Sequence, residues 1–176
     1  MLFSSKEHWA HPEVTNDAAQ TLVNTLVTSR LDGLNALLIG VPQTTVALLQ
    51  RVQNNAARVV TGTPKHDHIS PILRSLHWLP VATRIKFKVL LLAYKCVHGI
   101  APPYLQELIQ PYRPSRSLRS AEGLLLSQPR SRLASFGDRA FSRAAPRLWN
   151  SLPYTIRASD SVAIFKRRLK THMILS

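Results

Sequence analysis

VATRIKFKVLLLAYKCVH, residues Val81–His98, is the stretch from which the fold can be read. At about 100° per residue, Ile85, Phe87, Val89, Leu90, Leu92, Tyr94, Cys96 and Val97 cover most of a helix circumference, and Arg84, Lys88 and Lys95 share a stripe roughly 40° wide. A helix so apolar on nearly all sides is one that others surround, so it is the expected centre of a helical core. Gly99 is placed to close it, and Pro102-Pro103 to open a short helix carrying Leu105, Leu108 and Ile109.

Working towards the N-terminus, Ser70-Pro71 reads as an N-cap followed by proline at the first helical position of a short helix through Leu73 and Leu76, and Trp78-Leu79-Pro80 then forces a bend. From Asp17 to Ile39 the residues Leu22, Val23, Leu26, Val27, Leu31, Leu34, Leu37 and Leu38 recur at helical spacing, which predicts a core helix capped by Asn16 or Asp17. Arg30 falls inside its apolar arc and must snorkel outward or meet an acceptor from elsewhere. Gly40-Val41-Pro42 stops that helix. A second run, with Val46, Leu49, Val52, Ala56, Val59 and Val60 on one face, ends at Thr61-Gly62-Thr63-Pro64, so two antiparallel helices are expected.

After Pro111 the texture turns to Pro, Ser, Arg and Gly, as in a linker or an exposed basic loop. Leu124-Leu125-Leu126 and Leu133-Ala134-Ser135-Phe136 flank Gln128-Pro129-Arg130 and predict a short β-hairpin. Asp138 to Trp149 reads as helical with a break near Pro146. The last helix, Asp160 to Leu175, puts Val162, Phe165, Leu169 and Met173 on one stripe and Lys166, Arg167, Arg168 and Lys170 around the remainder. The expected fold class is therefore mainly α: a helical core with a basic C-terminal part containing at most a short β-hairpin. Residues 1–16 are expected to be a disordered leader, 17–110 the helical region and 111–176 the basic region.

Charge divides the 176 residues in the same way: residues 61–176 carry 19 Lys+Arg against 5 Asp+Glu, and residues 1–60 carry 4 against 4. Eight arginines (113, 116, 119, 130, 132, 139, 143, 147) lie between Arg113 and Arg147, against only Glu122 and Asp138. Such a run suits a polyanion, though it also occurs on solvated surfaces and opposite acidic proteins; arginine forks favour phosphate oxygens. Tyr112, Phe136, Phe141 and Trp149 are interleaved with it and could stack on bases, although Phe136, Phe141 and Trp149 are the expected apolar anchors of the segment.

Other chemistry finds little support. Two-metal catalysis needs several carboxylates at one point, and no Asp-Asp pair exists anywhere in the chain. His66, His68 and His77, or Cys96 and His98, fit no standard four-ligand zinc site, and helical positions 96 and 98 point about 200° apart, so no metal and no cofactor is expected. One cysteine allows no internal disulfide; no apolar run reaches about 18 residues and the start lacks a basic leader. The expectation is an intracellular chain with no membrane segment.

Several strings resemble one family in one order: Thr28-Ser29-Arg30-Leu31-Asp32, Leu49-Gln50-Arg51-Val52-Gln53-Asn54, His68-Ile69-Ser70-Pro71 with Leu73-Arg74-Ser75-Leu76-His77-Trp78-Leu79-Pro80, His98-Gly99-Ile100-Ala101-Pro102, Ala145-Pro146-Arg147-Leu148-Trp149-Asn150-Ser151-Leu152-Pro153, and Phe165-Lys166 with Arg168-Leu169-Lys170-Thr171-His172. They are similar to the post-catalytic part of a jockey-group non-long-terminal-repeat (LINE) retrotransposon reverse transcriptase, over roughly residues 17–175. The resemblance implies the thumb-like region and C-terminal tail that follow the polymerase palm, without the palm aspartates or the upstream endonuclease, as in a truncated element. It implies no catalytic residue. On that view Arg113, Arg116, Arg119, Arg130, Arg132, Arg139 and Arg143, with Lys166, Arg167 and Lys170, hold RNA or DNA backbone without reading sequence, and a related polymerase chain is a second partner. The alternatives are a protein-interaction fragment that packs on a palm or self-associates, and a translated fragment with no selected function. The chain departs from the family at Gly33-Leu34, where an aromatic and a cysteine are usual; glycine there costs about 1 kcal/mol relative to alanine in a helix interior.

Overall fold

A computed structural model of the chain describes residues 16–34, 38–114, 124–129 and 140–175. Among them the architecture is mainly helical, with no strand. Helix α1 (Asn16–Val23) runs through a π-helical stretch (Asn24–Thr28) into α2 (Ser29–Leu34), followed by α3 (Gln43–Thr61), α4 (Ile69–Ser75), α5 (Val81–Val97), α6 (Pro103–Gln106), α7 (Phe141–Asn150), α8 (Tyr154–Arg157) and α9 (Val162–Leu175).

The apolar 81–98 stretch is the central helix. Val81, Val89 and Ala93 of α5 are inaccessible, and Leu90 and Tyr94 nearly so. Helices α7 and α9 pack against α5, and α3 also contacts it. Three rings join these helices: Tyr94 stacks on Phe165 with centroids 4.3 Å apart, and Trp149 lies 5.9 Å from Phe165 and 6.4 Å from Tyr94. Both polar ends are satisfied, since Tyr94 Oη donates to the Ser159 carbonyl at 2.7 Å and Trp149 Nε1 to the Leu124 carbonyl at 2.7 Å. This core crosses residue 110, joining Val89–Cys96 to Leu126, Leu152, Ile156 and Leu169. A smaller core holds Val23, Ala56 and Val60, with Trp78, Leu76 and Val27 packed on it.

A glutamine pair ties α3 to the start of α5. Pro80 precedes α5 and offers no side-chain cap. Gln50 Oε1 instead accepts the Val81 N–H at 2.8 Å, Gln50 Nε2 donates to Gln53 Oε1 at 2.9 Å, and the buried Gln53 Nε2 donates to the Leu79 carbonyl at 2.9 Å. Three helix ends close by the same device, in which a left-handed residue lets the following N–H reach back five residues. Gly62 (φ 63°) allows Thr63 N–H to Arg58 O, and Gly99 (φ 67°) allows Ile100 N–H to Lys95 O. At the end of α4 the left-handed residue is His77 (φ 55°), with Trp78 N–H on Leu73 O at 2.8 Å.

Several expectations need correction. The first helix contains a π-helical stretch and exposes Leu22 and Leu26, burying Val23; Arg30 is exposed, as snorkelling requires. In α3 the buried positions are Gln53, Ala56, Ala57 and Val60, whereas Val52 and Val59 are exposed. Helix α4 starts at Ile69, two residues early, because Pro71 falls among the first four N–H positions, which have no partner inside a helix. Pro146 does not break α7: its fixed φ is already helical and its ring is buried beside Ala144, Ala145 and Trp149. The first hairpin arm lies against 110–112, with Tyr112 N–H on Leu125 O at 2.9 Å and Ser127 N–H on Gln110 O at 2.8 Å. The second arm, Leu133–Phe136, lies outside the described residues, as does the leader apart from Asn16.

Two measurements check this account. Gln53→Ala strands the buried Leu79 carbonyl, which keeps only a 3.2 Å bond from Arg84 Nε, and should lower unfolding free energy by about 1–3 kcal/mol in urea melts. Burial, with Asp160 adding to it, pushes the Tyr94 phenol above its ordinary value. The folded chain then holds that proton at a pH where the unfolded chain releases it, so this stability is complete below about pH 10 and is lost as pH rises. Tyr94→Phe should lose about 1 kcal/mol at neutral pH and show a shallower alkaline decline.

Candidate nucleic-acid interface

The last helix carries the clearest basic face. Ser161 starts it, its Oγ accepting the Ile164 N–H at 3.3 Å. Phe165 and Leu169 are inaccessible and fix one side to the core, which leaves Lys166 and Arg167 exposed and Lys170 half-buried. Lys166, Arg167, Lys170 and Ile174 fall within about 100° of one another on the helix wheel. Arg168 points elsewhere: its Nη1 donates to the Thr155 carbonyl at 2.7 Å and to Ser159 Oγ at 3.4 Å, pinning α9 to α8. Residues 140–175 hold seven basic residues and one acid, Asp160.

Of the other candidate residues, Arg113 is exposed after α6 and Arg143 is half-buried on α7. Arg116, Arg119, Arg130, Arg132 and Arg139 lie outside the described residues. Of the aromatics, Trp149 is a core residue, Phe141 packs on that core, Tyr112 is exposed, and Phe136 lies outside the described residues.

Spatial folding adds a feature that spacing does not reveal. A cleft of about 370 Å³ opens where α4, the following turn, the start of α5 and the last turn of α9 meet. Leu73, Leu79 and Met173 give it an apolar floor and the exposed Pro80 an apolar edge. Trp78 and Ile174 form its walls, and Ser70, Arg74, His77 and Thr83 supply its polar groups. Arg74 and His77 are exposed.

Among the described residues no group of three His, Cys, Asp or Glu could hold a metal ion. Cys96 is buried with Sγ against the Leu105 carbonyl at 3.5 Å, and burial pushes its thiol up, away from thiolate reactivity. His98 is exposed and lies on the Tyr94 ring at 4.1 Å. No helix among the described residues is long and apolar enough to cross a membrane.

Family models, curated proteins and solved structures were compared with the chain, and none matches it. The site is therefore read from its own residues.

Arg157 was not singled out by spacing. It is only 8% exposed, its Nε and Nη1 have no hydrogen-bond partner among the described residues, and burial pushes the guanidinium down while Tyr154 opposes this. A buried cation without acceptors is costly, and an isosteric apolar chain removes that cost. Arg157→Met should keep the fold and raise stability by about 1–3 kcal/mol in denaturant melts.

Proposed function

We propose that these residues are the non-catalytic part of a retrotransposon-type reverse transcriptase that holds RNA or primer–template backbone without reading its sequence. The observation that carries this is α9, docked through Phe165 and Leu169 while Lys166, Arg167 and Lys170 face away within a segment of seven cations and one acid. Cations on one face of a rigid helix contact phosphates and fix register, but they carry no base information. The family strings in their shared order support the same reading, with holding rather than copying as its role. Primer extension by the purified chain is expected to yield no product.

Filter binding of labelled RNA across a salt series tests the grip. About five phosphate contacts give a log–log slope near −4.5 on duplex and near −3.5 on single strands. Replacing Lys166, Arg167 and Lys170 together with alanine should flatten the slope by about 2–3 and leave melting intact. Binding without salt dependence, or none at low salt, refutes the reading.

A second reading rests on α3. Leu48, Val52 and Val59 are 60%, 49% and 66% exposed and lie within about 40° on one face, a surface that a polymerase body would cover. Light scattering discriminates here, since a monodisperse monomer at high concentration speaks against an orphaned interface.

A further inference from the structure

We propose that the cleft between α4, α5 and the last turn of α9 takes an unpaired nucleobase from the strand whose phosphates lie along α9. This rests on the nucleic-acid reading above and adds what the site selects.

Four observations converge. The first is dimension and lining. A volume of about 370 Å³ sits at the small end of ligand pockets, roughly 300–1,000 Å³, and suits one nucleotide rather than a helix or a duplex end. Its floor is apolar, and Ser70, His77 and Thr83 offer donors and acceptors at its edge, the combination a planar heterocycle with polar edges requires.

The second is Trp78. Its side chain packs on the small core of Val23, Ala56 and Val60 and also lines the cleft, so the ring is anchored before any ligand arrives. Bases stack on such a platform whatever their identity, because each presents a π-face.

The third is backbone strain at the rim. The ends of α3 and α5 use glycine in the left-handed position, where a side chain is disfavoured, whereas α4 uses histidine there with the same five-residue back-bond. A glycine would close α4 better. Strain held at one position next to a cleft points to a side chain kept for what it does there.

The fourth is continuity of charge. Ile174 lines the cleft and shares the α9 face with Lys166, Arg167 and Lys170, while the exposed Arg74 lines it from α4. A strand laid along α9 therefore runs towards the cleft, with a cation on each side of it for flanking phosphates. A fully paired base cannot enter, so the cleft favours strands with unpaired residues.

The test uses His77→Gly and Arg74→Ala in the full chain. His77→Gly relieves the left-handed strain and should raise Tm by about 2–4 °C, so lost binding cannot be ascribed to unfolding. Anisotropy titrations with a labelled single strand and with its blunt duplex, at one salt concentration, should show both variants about five- to tenfold weaker on the single strand and unchanged on the duplex. Equal affinities for wild type and variants on both probes overturn the cleft while leaving the α9 grip standing. If wild type holds neither probe, the grip has failed, and NMR titration with nucleoside 5′-monophosphates decides the cleft alone. Shifts at the Trp78 indole N–H and His77 ring that inorganic phosphate does not reproduce and His77→Gly abolishes uphold it; no such shifts, or the same shifts with phosphate, overturn it.

Discussion

The structure depends on one contact: the Tyr94 ring stacked on Phe165 with Trp149 beside both. These rings come from α5, α9 and α7, so one aromatic cluster closes loops of more than fifty residues. Aromatic pairs contribute about 0.5–1.5 kcal/mol beyond the area they bury. Their polar ends extend the effect, because Tyr94 Oη holds the Ser159 carbonyl just ahead of α9 and Trp149 Nε1 holds Leu124 on the 124–129 segment. Asn150, the next residue, clamps Leu126 through both its N–H and its carbonyl, at 2.9 and 2.8 Å, as a neighbouring strand would. The rotation of α9 about its axis follows from this cluster: with Phe165 turned inward, Lys166 and Arg167 have no choice but to face out.

Prolines set where the helices begin. Pro42, Pro80, Pro102 and Pro153 each precede a helix with ψ near 150° and none provides a side-chain cap. Each carbonyl nonetheless accepts the first helical bond, from Val46, Arg84, Gln106 and Arg157 respectively. A proline there has its φ already fixed and no N–H to leave unpaired, so little entropy is lost in starting the helix. The cost is a start without a polar cap, and at α5 that start is half-buried. Gln50 supplies the missing acceptor from another helix, which makes the α3–α5 junction, next to the cleft residues Leu79 and Pro80, as specific as a cap.

Legibility in the sequence followed the type of signal. The centrality of α5 and the docked stripe of α9 were readable because a core on one side, or on all sides, leaves a plain periodic record in 81–98 and 162–173. The facing of α3 was not, since Val52 and Val59 sit beside the buried arc of Ala56 and Val60: two adjoining apolar arcs look like one wide core face. Gln53, fully buried because Leu79 O needs a donor, was invisible for the opposite reason. Composition alone predicted a break at Pro146, yet a ring at home in the core outweighed one backbone bond. Of the candidate site, the cations of α9 were legible from the helix wheel. The cleft was not, because Arg74 and Ile174 are a hundred residues apart, and their helices meet through the packing of α4 on α3 and of α3 and α9 on α5.

Core contacts and exposed cations therefore occupy adjoining faces of the same fourteen-residue helix. Phe165 and Leu169 set its position, and Lys166, Arg167 and Lys170 take no part in burial beyond the stem of Lys170, so charge can change without loss of fold. The reverse does not hold. Loosening the ring cluster would rotate or release α9, and the cations and the Ile174 wall of the cleft would move with it. A basic surface built on a mobile tail would tolerate such changes, whereas one built on a helix keyed into the core by two inaccessible side chains would lose its register. The geometry of this basic surface is thus a property of the Tyr94–Phe165–Trp149 contact as much as of the charges themselves.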